Sequence, residues 1–392
     1  MNWFDNELRQ LQQDSRERTI RSCRTLSGAA GYMEREARTL LNLSSNDYLG
    51  LSGHPDIIDA MRASLLADGA GAGASRLVTG SRPVYELLEQ ALAEWQGCEA
   101  ALVFANGYMA NAGTIGALAG RDGVVFSDKL NHASITDGIV FSRAEHARYR
   151  HNDMDHLRTL LTKYRDKQRK LIVTDAVFSM DGDQARLHEL VELKREFGAM
   201  LMVDEAHSGG IYSSKGEGLC RQLGLHGEVD IHMGTFSKAF GVYGAYICGS
   251  RQLIRLLVNK SRPLIYSTAL PPSVPAGIMK ALGLVQSQHW RREKLLKASQ
   301  FFRSALRNDG FQIGGENSPI VPLVVGDNGT ALRFSAELET QGIGAVAIRP
   351  PTVPAGTARI RFSLSAAHSE QELESAALTI RKIGFRLGVI SE

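Results

Sequence analysis

The sequence predicts an α/β fold, with one large, mostly parallel sheet domain followed by a smaller α+β C-terminal domain. Three observations carry this expectation. Short, nearly continuous apolar runs recur through the first 289 residues, among them Val124-Val-Phe126, Leu171-Ile-Val173 and Leu201-Met-Val203. Helical patterns alternate with them, and strands apolar along their whole length are those covered on both faces. From about residue 290 the alternation becomes a compact set of helices and strands. With 392 residues, 43% hydrophobic and 22% charged, the chain has ample material for such a core.

Taken in order, residues 3–24 read as an amphipathic helix, with Trp3, Phe4, Leu8 and Leu11 against a series of arginines that reads as a solvated face. Asn42 to Leu51 is turn-rich, and Pro55 opens a helix over 55–66. Gly69 to Arg82 carries many glycines and two arginines. It reads as a functional loop rather than a linker, and it does not fit a dinucleotide fingerprint. Helix 84–96 leads to strand 100–104, then to Asn106-Gly107-Tyr108 and helix 109–119. A strand running through a glycine into a helix start offers free amides and the positive end of a helix dipole to an anion. Strand 124–128 precedes His132. A lone histidine is more often structural, but a strand end in an α/β sheet is where ligands bind.

The alternation continues with helix 153–165, strand 170–175, helix 187–197, and strand Met200 to His207. Strands 230–234 and 244–248 flank Thr235-Phe-Ser-Lys238-Ala-Phe-Gly241, and helices 251–260 and 272–289 follow. The C-terminal part is read as helix 291–308, strand 320–325, helix 330–341, strand 344–348, strand 359–364 and helix 369–387. The division expected is 1–50 as an N-terminal helix and arm, 51–289 as the large domain and 290–392 as the small one.

The formal net charge of +3 and the scattered basic residues argue against nucleic acid as a partner. Four widely spaced cysteines read as free thiols of a reducing cytoplasm, and no apolar run approaches the roughly 20 residues of a membrane span. The N-terminus lacks the pattern of a signal peptide, so a cytoplasmic protein is expected.

His132, Ser179, Asp204, His207 and Lys238 all fall at predicted strand ends. A lysine amine attacks a carbonyl only where its surroundings make it nucleophilic, and the hydroxyls of Thr235 and Ser237 suit an anionic group beside it. Together they suit an aldehyde cofactor bearing a phosphate, pyridoxal phosphate. A surface lysine in a Ser/Gly loop explains that stretch equally well when it is taken alone. Asp204 at a strand end can keep a pyridinium nitrogen charged, because an ion pair favours both charged forms. Asp204-Glu-Ala-His207 could instead ligate a metal, but no further His/Cys cluster has ligand spacing, so no metal is expected.

These stretches carry a resemblance over essentially the whole chain. Ser45 to Leu51, Gly73 to Ser81, Asp128 to Ser134, Phe178 to Asp183, Asp204 to His207 and Gly234 to Gly241 are similar to the motifs of the α-oxoamine synthases. These are pyridoxal-phosphate enzymes of fold type I, the aspartate-aminotransferase-like fold, which join an amino acid to an acyl thioester with loss of CO2. Arg262 to Thr268 and Arg349 to Pro354 look like the member that condenses L-alanine with a pimeloyl thioester, on CoA or on a carrier protein. A sister synthase using glycine and acetyl-CoA, or a non-catalytic subunit, are the other readings.

The resemblance implies that Lys238 holds the cofactor, Asp204 faces its ring nitrogen and His132 stacks on the ring. Ser179 and His207 would meet the ring oxygen or its surroundings, and Gly107, Tyr108 and Thr235 would hold chiefly the phosphate. It further implies that Arg361 and Asn46 take the amino acid's carboxylate. Arg21 and Thr352 would contact the acyl substrate, with Arg349 near them. Thr268 would reach a neighbouring subunit's phosphate, which implies a homodimer.

Overall fold

A computed structural model describes residues 2–26 and 28–391. Contacts divide the chain into two units. One comprises Leu51–Phe178 and Gln184–Arg292; the other comprises the chain through Gly50, the short Ser179–Asp183 segment and the chain from Glu293 onward.

The first unit is built on a seven-stranded sheet. Its strands are β1 (Ala100–Phe104), β2 (Gly123–Asp128), β3 (Glu145–Tyr149), β4 (Arg169–Asp175), β5 (Met200–Asp204), β6 (Ile231–Thr235) and β7 (Ala245–Gly249). They lie in the order β1-β7-β6-β5-β4-β2-β3. From β3 to β6 every pairing is parallel, and β7 runs antiparallel to both β1 and β6. The apolar runs that suggested strands are buried throughout in β2, β6 and β7. Leu102, Phe104, Val125, Val173, Met202, Met233 and Ile247 join Ala110 and Ile115 of helix Gly107–Leu118 in one core cluster. In that register Asp175 lies directly opposite Asp204 and Asp204 opposite Met233, so the carboxyl ends of β4, β5 and β6 finish together.

Helix Gly107–Leu118 begins directly after β1, where the Asn106 side chain accepts the Met109 amide at 2.9 Å. Helix Ala133–Ser142 was not anticipated, nor was β3. The helix carries Gly138 and four β-branched residues, a poor helical composition. The glycine has a packing reason: a Cβ there would lie 3.0 Å from the Cα of Ala112, so the two helices touch backbone to backbone. The strand, Glu-His-Ala-Arg-Tyr, is a polar sheet edge without an apolar run.

Two expected elements are shorter. The strand expected over Met200 to His207 ends at Asp204, because the Ala206 amide turns back to Asp204 Oδ1 and those of Ser208 and Gly209 turn to the Glu205 carbonyl. The N-terminal helix stops at Gln13 rather than residue 24, with Ser15 at φ 52° just beyond it. Its arginine series thus continues on non-helical chain as far as Cys23.

The second unit holds a three-stranded antiparallel sheet, Ile320–Gly326, Ala358–Ser363 and Val346–Ile348, with the middle-listed strand at the centre. A four-stranded sheet contains Arg24–Thr25, Tyr32–Arg35, Arg38–Asn42 and Ile343–Gly344. The strand expected over 344–348 is therefore two pieces serving different sheets, divided at Ala345. Among the described residues no helix is long and apolar enough to cross a membrane.

Candidate active site

At the carboxyl ends of β5 and β6 the chain places its strongest chemical groups. Lys238 lies three residues past β6 and is half-buried. Its Nζ is 2.9 Å from Nε2 of His207, which is itself buried. An ammonium carries only donors, so the charged lysine donates and Nε2 accepts.

Asp204 is the last residue of β5 and is 3% exposed. Its two oxygens are held separately: Oδ1 accepts the Ala206 amide at 2.9 Å and Oδ2 accepts Asn111 Nδ2 at 2.7 Å. Asn111 also donates to Ser134 Oγ at 2.9 Å, and Ser134 Oγ is 2.7 Å from His132 Nδ1. His132 stands at the start of helix Ala133–Ser142, where its backbone amide donates to Asp175 Oδ2 at 2.8 Å. Much of the His132 surface faces outward, yet its environment favours the neutral ring. Desolvation lowers its pKa, Asp204 opposes this, and the positive charge of Lys238 adds to the depression. Asp175 is fully enclosed, and burial, reinforced by the Asp204 charge, pushes its pKa well up.

The anion-binding features meet beside this group. Gly107 and Tyr108 open helix Gly107–Leu118, and their amides have no carbonyl partner within the helix. A Cβ at Gly107 would lie 3.0 Å from Met233 Cε and 3.8 Å from Thr235 Cβ, so the helix start and the end of β6 are neighbours. Thr235 is buried, donates its hydroxyl to the Gly244 carbonyl at 2.9 Å, and has its Oγ1 2.8 Å from Ser237 Oγ. Tyr108 is exposed, and its hydroxyl donates to Asp137. Thr268 is exposed, on a small hollow shared with Arg76 and Tyr85.

The Asp-Glu-Ala-His stretch does not gather into one site. Glu205 points into a separate buried cluster, accepting from the Cys220 amide at 3.0 Å, Ser208 Oγ at 3.1 Å and His232 Nδ1 at 3.2 Å. The ligand-type atoms of Glu205, Cys220 and His232 lie within 4.8 Å of one another, and the carboxylate is already satisfied by these donors.

The second unit holds the remaining predicted residues. Arg361 is buried, and its guanidinium reaches the Ser179 carbonyl at 2.6 Å, Ser363 Oγ at 2.6 Å and Asn46 Oδ1 at 3.2 Å through both terminal nitrogens. Arg21 is exposed and committed to ion pairs, with Glu339 at 2.6 Å and Glu36 at 3.1 Å. Arg349 donates to the backbone carbonyls of Ser15 and Glu17. Thr352 is exposed and meets Arg18 at 3.3 Å.

The structure thus joins Asp204 to His132 in one network, pairs Lys238 with His207, and pairs Arg361 with Asn46. Reading the sequence alone overlooked Asn111, Ser134 and Asp175. A signal existed for the first: Asn111 is the one amide among the small and apolar residues of Gly107 to Leu118, a helix whose face turns into the core.

Comparison with known proteins agrees in direction. The class I and II aminotransferase family matches residues 38–380. A provisionally named 8-amino-7-oxononanoate synthase of Geobacillus kaustophilus is 51% identical over 386 residues, covering 98% of each chain. Among solved structures, a serine palmitoyltransferase variant from S. paucimobilis with a bound PLP–myriocin aldimine superposes with a TM-score of 0.93 at 32% identity, covering 99% of this chain and 98% of that one. The 8-amino-7-oxononanoate synthase of Francisella tularensis gives 0.78 at 26% identity, covering 90% and 99%.

Proposed function

Because the chain belongs to the class I and II aminotransferase family, and within it to the α-oxoamine synthases, we propose that it is an 8-amino-7-oxononanoate synthase. It is a pyridoxal-phosphate-dependent acyltransferase that joins L-alanine to a pimeloyl thioester, with loss of CO2, in biotin biosynthesis. The observation that carries the chemistry is the Lys238 amine, held 2.9 Å from His207 at the strand ends where Asp204 is buried.

The donor set fits the cofactor. An amine is available for its aldehyde, a buried carboxylate for its ring nitrogen, and a bare-glycine helix start beside hydroxyls for its phosphate. When bound, pyridoxal phosphate supplies a conjugated cationic ring that spreads the charge left on the amino acid's α-carbon.

Lys238 would hold the cofactor at its aldehyde, and its Nζ is the base that would take the α-proton. Asp204, oriented at both oxygens, keeps the ring nitrogen charged. His132 would stack on the ring, while His207 and Ser179 would attend the ring oxygen. Gly107, Tyr108 and Thr235 take the phosphate. Arg361, with Asn46, takes the carboxylate of alanine. Arg21, Arg349 and Thr352 are assigned to the acyl substrate; for Arg21 this requires leaving its acidic partners.

A second copy of the chain would complete the site through Thr268. Support for a homodimer comes from Val140 and Phe141, 64% and 65% exposed, which line a 960 Å³ hollow with Tyr108 and Arg262.

The greater structural likeness to serine palmitoyltransferase favours one alternative, a synthase that uses serine. A panel of alanine, glycine and serine against pimeloyl-, acetyl-, succinyl- and palmitoyl-CoA decides between them. Alanine with the pimeloyl thioester is the expected pair, and turnover confined to glycine or serine would overturn the assignment.

A further inference from the structure

We infer that Asn111 is a positioning residue that sets Asp204 and His132 together: its single amide orients the carboxylate and, through Ser134, holds His132 as the neutral ring with its proton on Nε2. The inference rests on the site reading above, in which those two groups flank the cofactor ring.

The argument follows the protons. A side-chain amide has two to give, and Asn111 directs them to Asp204 Oδ2 at 2.7 Å and Ser134 Oγ at 2.9 Å. Its own oxygen is left buried without a protein partner. That arrangement is costly, and it persists because turning the amide over would set oxygen against the Asp204 carboxylate. The negative charge at 204 therefore fixes which way Asn111 faces.

Ser134 Oγ, already accepting from Asn111, has one proton left. His132 Nδ1 lies 2.7 Å away, and the Ser134 backbone amide also points at that nitrogen, at 3.3 Å. Two donors converge on Nδ1, so it must carry a lone pair, and the ring's proton sits on Nε2. A ring held this way is uncharged. A neutral His132 would set no second positive charge against the cofactor's ring, and Asp204 would then serve that one charge. Asn111 is 1% exposed and Ser134 fully buried, so water does not compete for these bonds.

The tautomer can be read directly by NMR of 15N-histidine-labelled full-length protein, with the His132 signals assigned by their loss in His132→Asn. The expected result is an unprotonated Nδ1 and a protonated Nε2 between about pH 6 and 8. Asn111→Ala and Ser134→Ala should each give mixed tautomers, while Ser134→Thr, which keeps the hydroxyl, should preserve the single one. In protein loaded with 15N-pyridoxal phosphate, Asn111→Ala should make the ring-nitrogen shift pH-dependent where the parent's is constant. It should lower kcat by about tenfold to a hundredfold with KM for the amino acid little changed. A proton on Nδ1 in the parent protein overturns the inference, as does an Asn111→Ala variant with both nitrogen signals unaltered. A protein that takes up no pyridoxal phosphate would refute the functional reading instead, and the His132 tautomer, read without the cofactor, would still decide this one.

Discussion

Exchanging the two ends of the Asp204–Asn111 bond separates what that carboxylate does for the fold from what it does for chemistry. In Asp204→Asn the new amide faces two donors, Asn111 Nδ2 at 2.7 Å and the Ala206 N–H at 2.9 Å. With Asn111 as it stands one N–H meets another whichever way the new amide turns, and turning Asn111 over only moves the unsatisfied N–H to the buried spot where its oxygen has no partner. An unsatisfied buried donor costs about 1–3 kcal/mol, and this position is buried away from bulk solvent. The apoprotein should therefore lose about that much stability, seen as a lower unfolding midpoint. Adding Asn111→Asp restores the match: the amide at 204 accepts from Ala206 and donates to the new carboxylate, which can also take the Ser134 hydroxyl proton. Most of the lost stability should return. Activity should not, because the charge now sits one side chain away from the ring nitrogen. Both variants should fall at least about a hundredfold in kcat, corresponding to about 2.7 kcal/mol of lost charge stabilisation. Unfolding midpoints of the apoproteins and steady-state rates of the loaded enzymes test this. Recovery of turnover in the double variant, or a single variant as stable as its parent, would refute the reasoning.

Lys238→Ala removes a half-buried side chain that meets His207 and lies outside the core, so the fold should survive while turnover falls at least about a thousandfold; near-normal turnover would contradict the assigned role. Gly241→Ala should be severe for a different reason. Its φ is +67° and a Cβ would lie 2.3 Å from the Ser52 amide nitrogen, so strain and overpacking together should cost about 2–5 kcal/mol, read as a lower unfolding midpoint. His368 should make stability fall with acid. Burial lowers its pKa from 6.5 to about 4, so from pH 6.5 down to 4 the unfolded chain binds a proton that the folded one excludes. That is worth about 3 kcal/mol, present above pH 6.5 and lost by pH 4, and His368→Gln should flatten this part of the pH–stability curve.

The large sheet was legible because its strands are apolar on both faces, and the loops at their carboxyl ends could be found by counting strand by strand. Lys238, His207, Asp204 and His132 each stand where such a run stops, so position and chemistry pointed the same way. Helix Ala133–Ser142 was hidden because its stability comes from contact with helix Gly107–Leu118, and Gly138, which permits that contact, reads locally as a helix breaker. The strand over 344–348 was hidden for a related reason. Each half is apolar, and only the partners, Leu41 and Asn42 for one half and Arg359 to Arg361 for the other, divide it.

The same distinction explains why the groups that do chemistry were easier to find than the groups that aim them. A reactive side chain declares itself by type, as Lys238 does. Asn111 declares only an amide in a helix, and its meaning depends on Asp204, 93 positions away in sequence and 2.7 Å away in space. Nothing local connects the two. Their pairing follows from sheet order: helix Gly107–Leu118 leaves β1 and packs over β6 and β7, which brings its inward face across the end of β5. The precision of the carboxylate is thus a property of strand order more than of either residue. Substitutions that shift that helix, at Gly138 or Gly113, should therefore disturb the Asp204 hydrogen bonds without touching a reactive group.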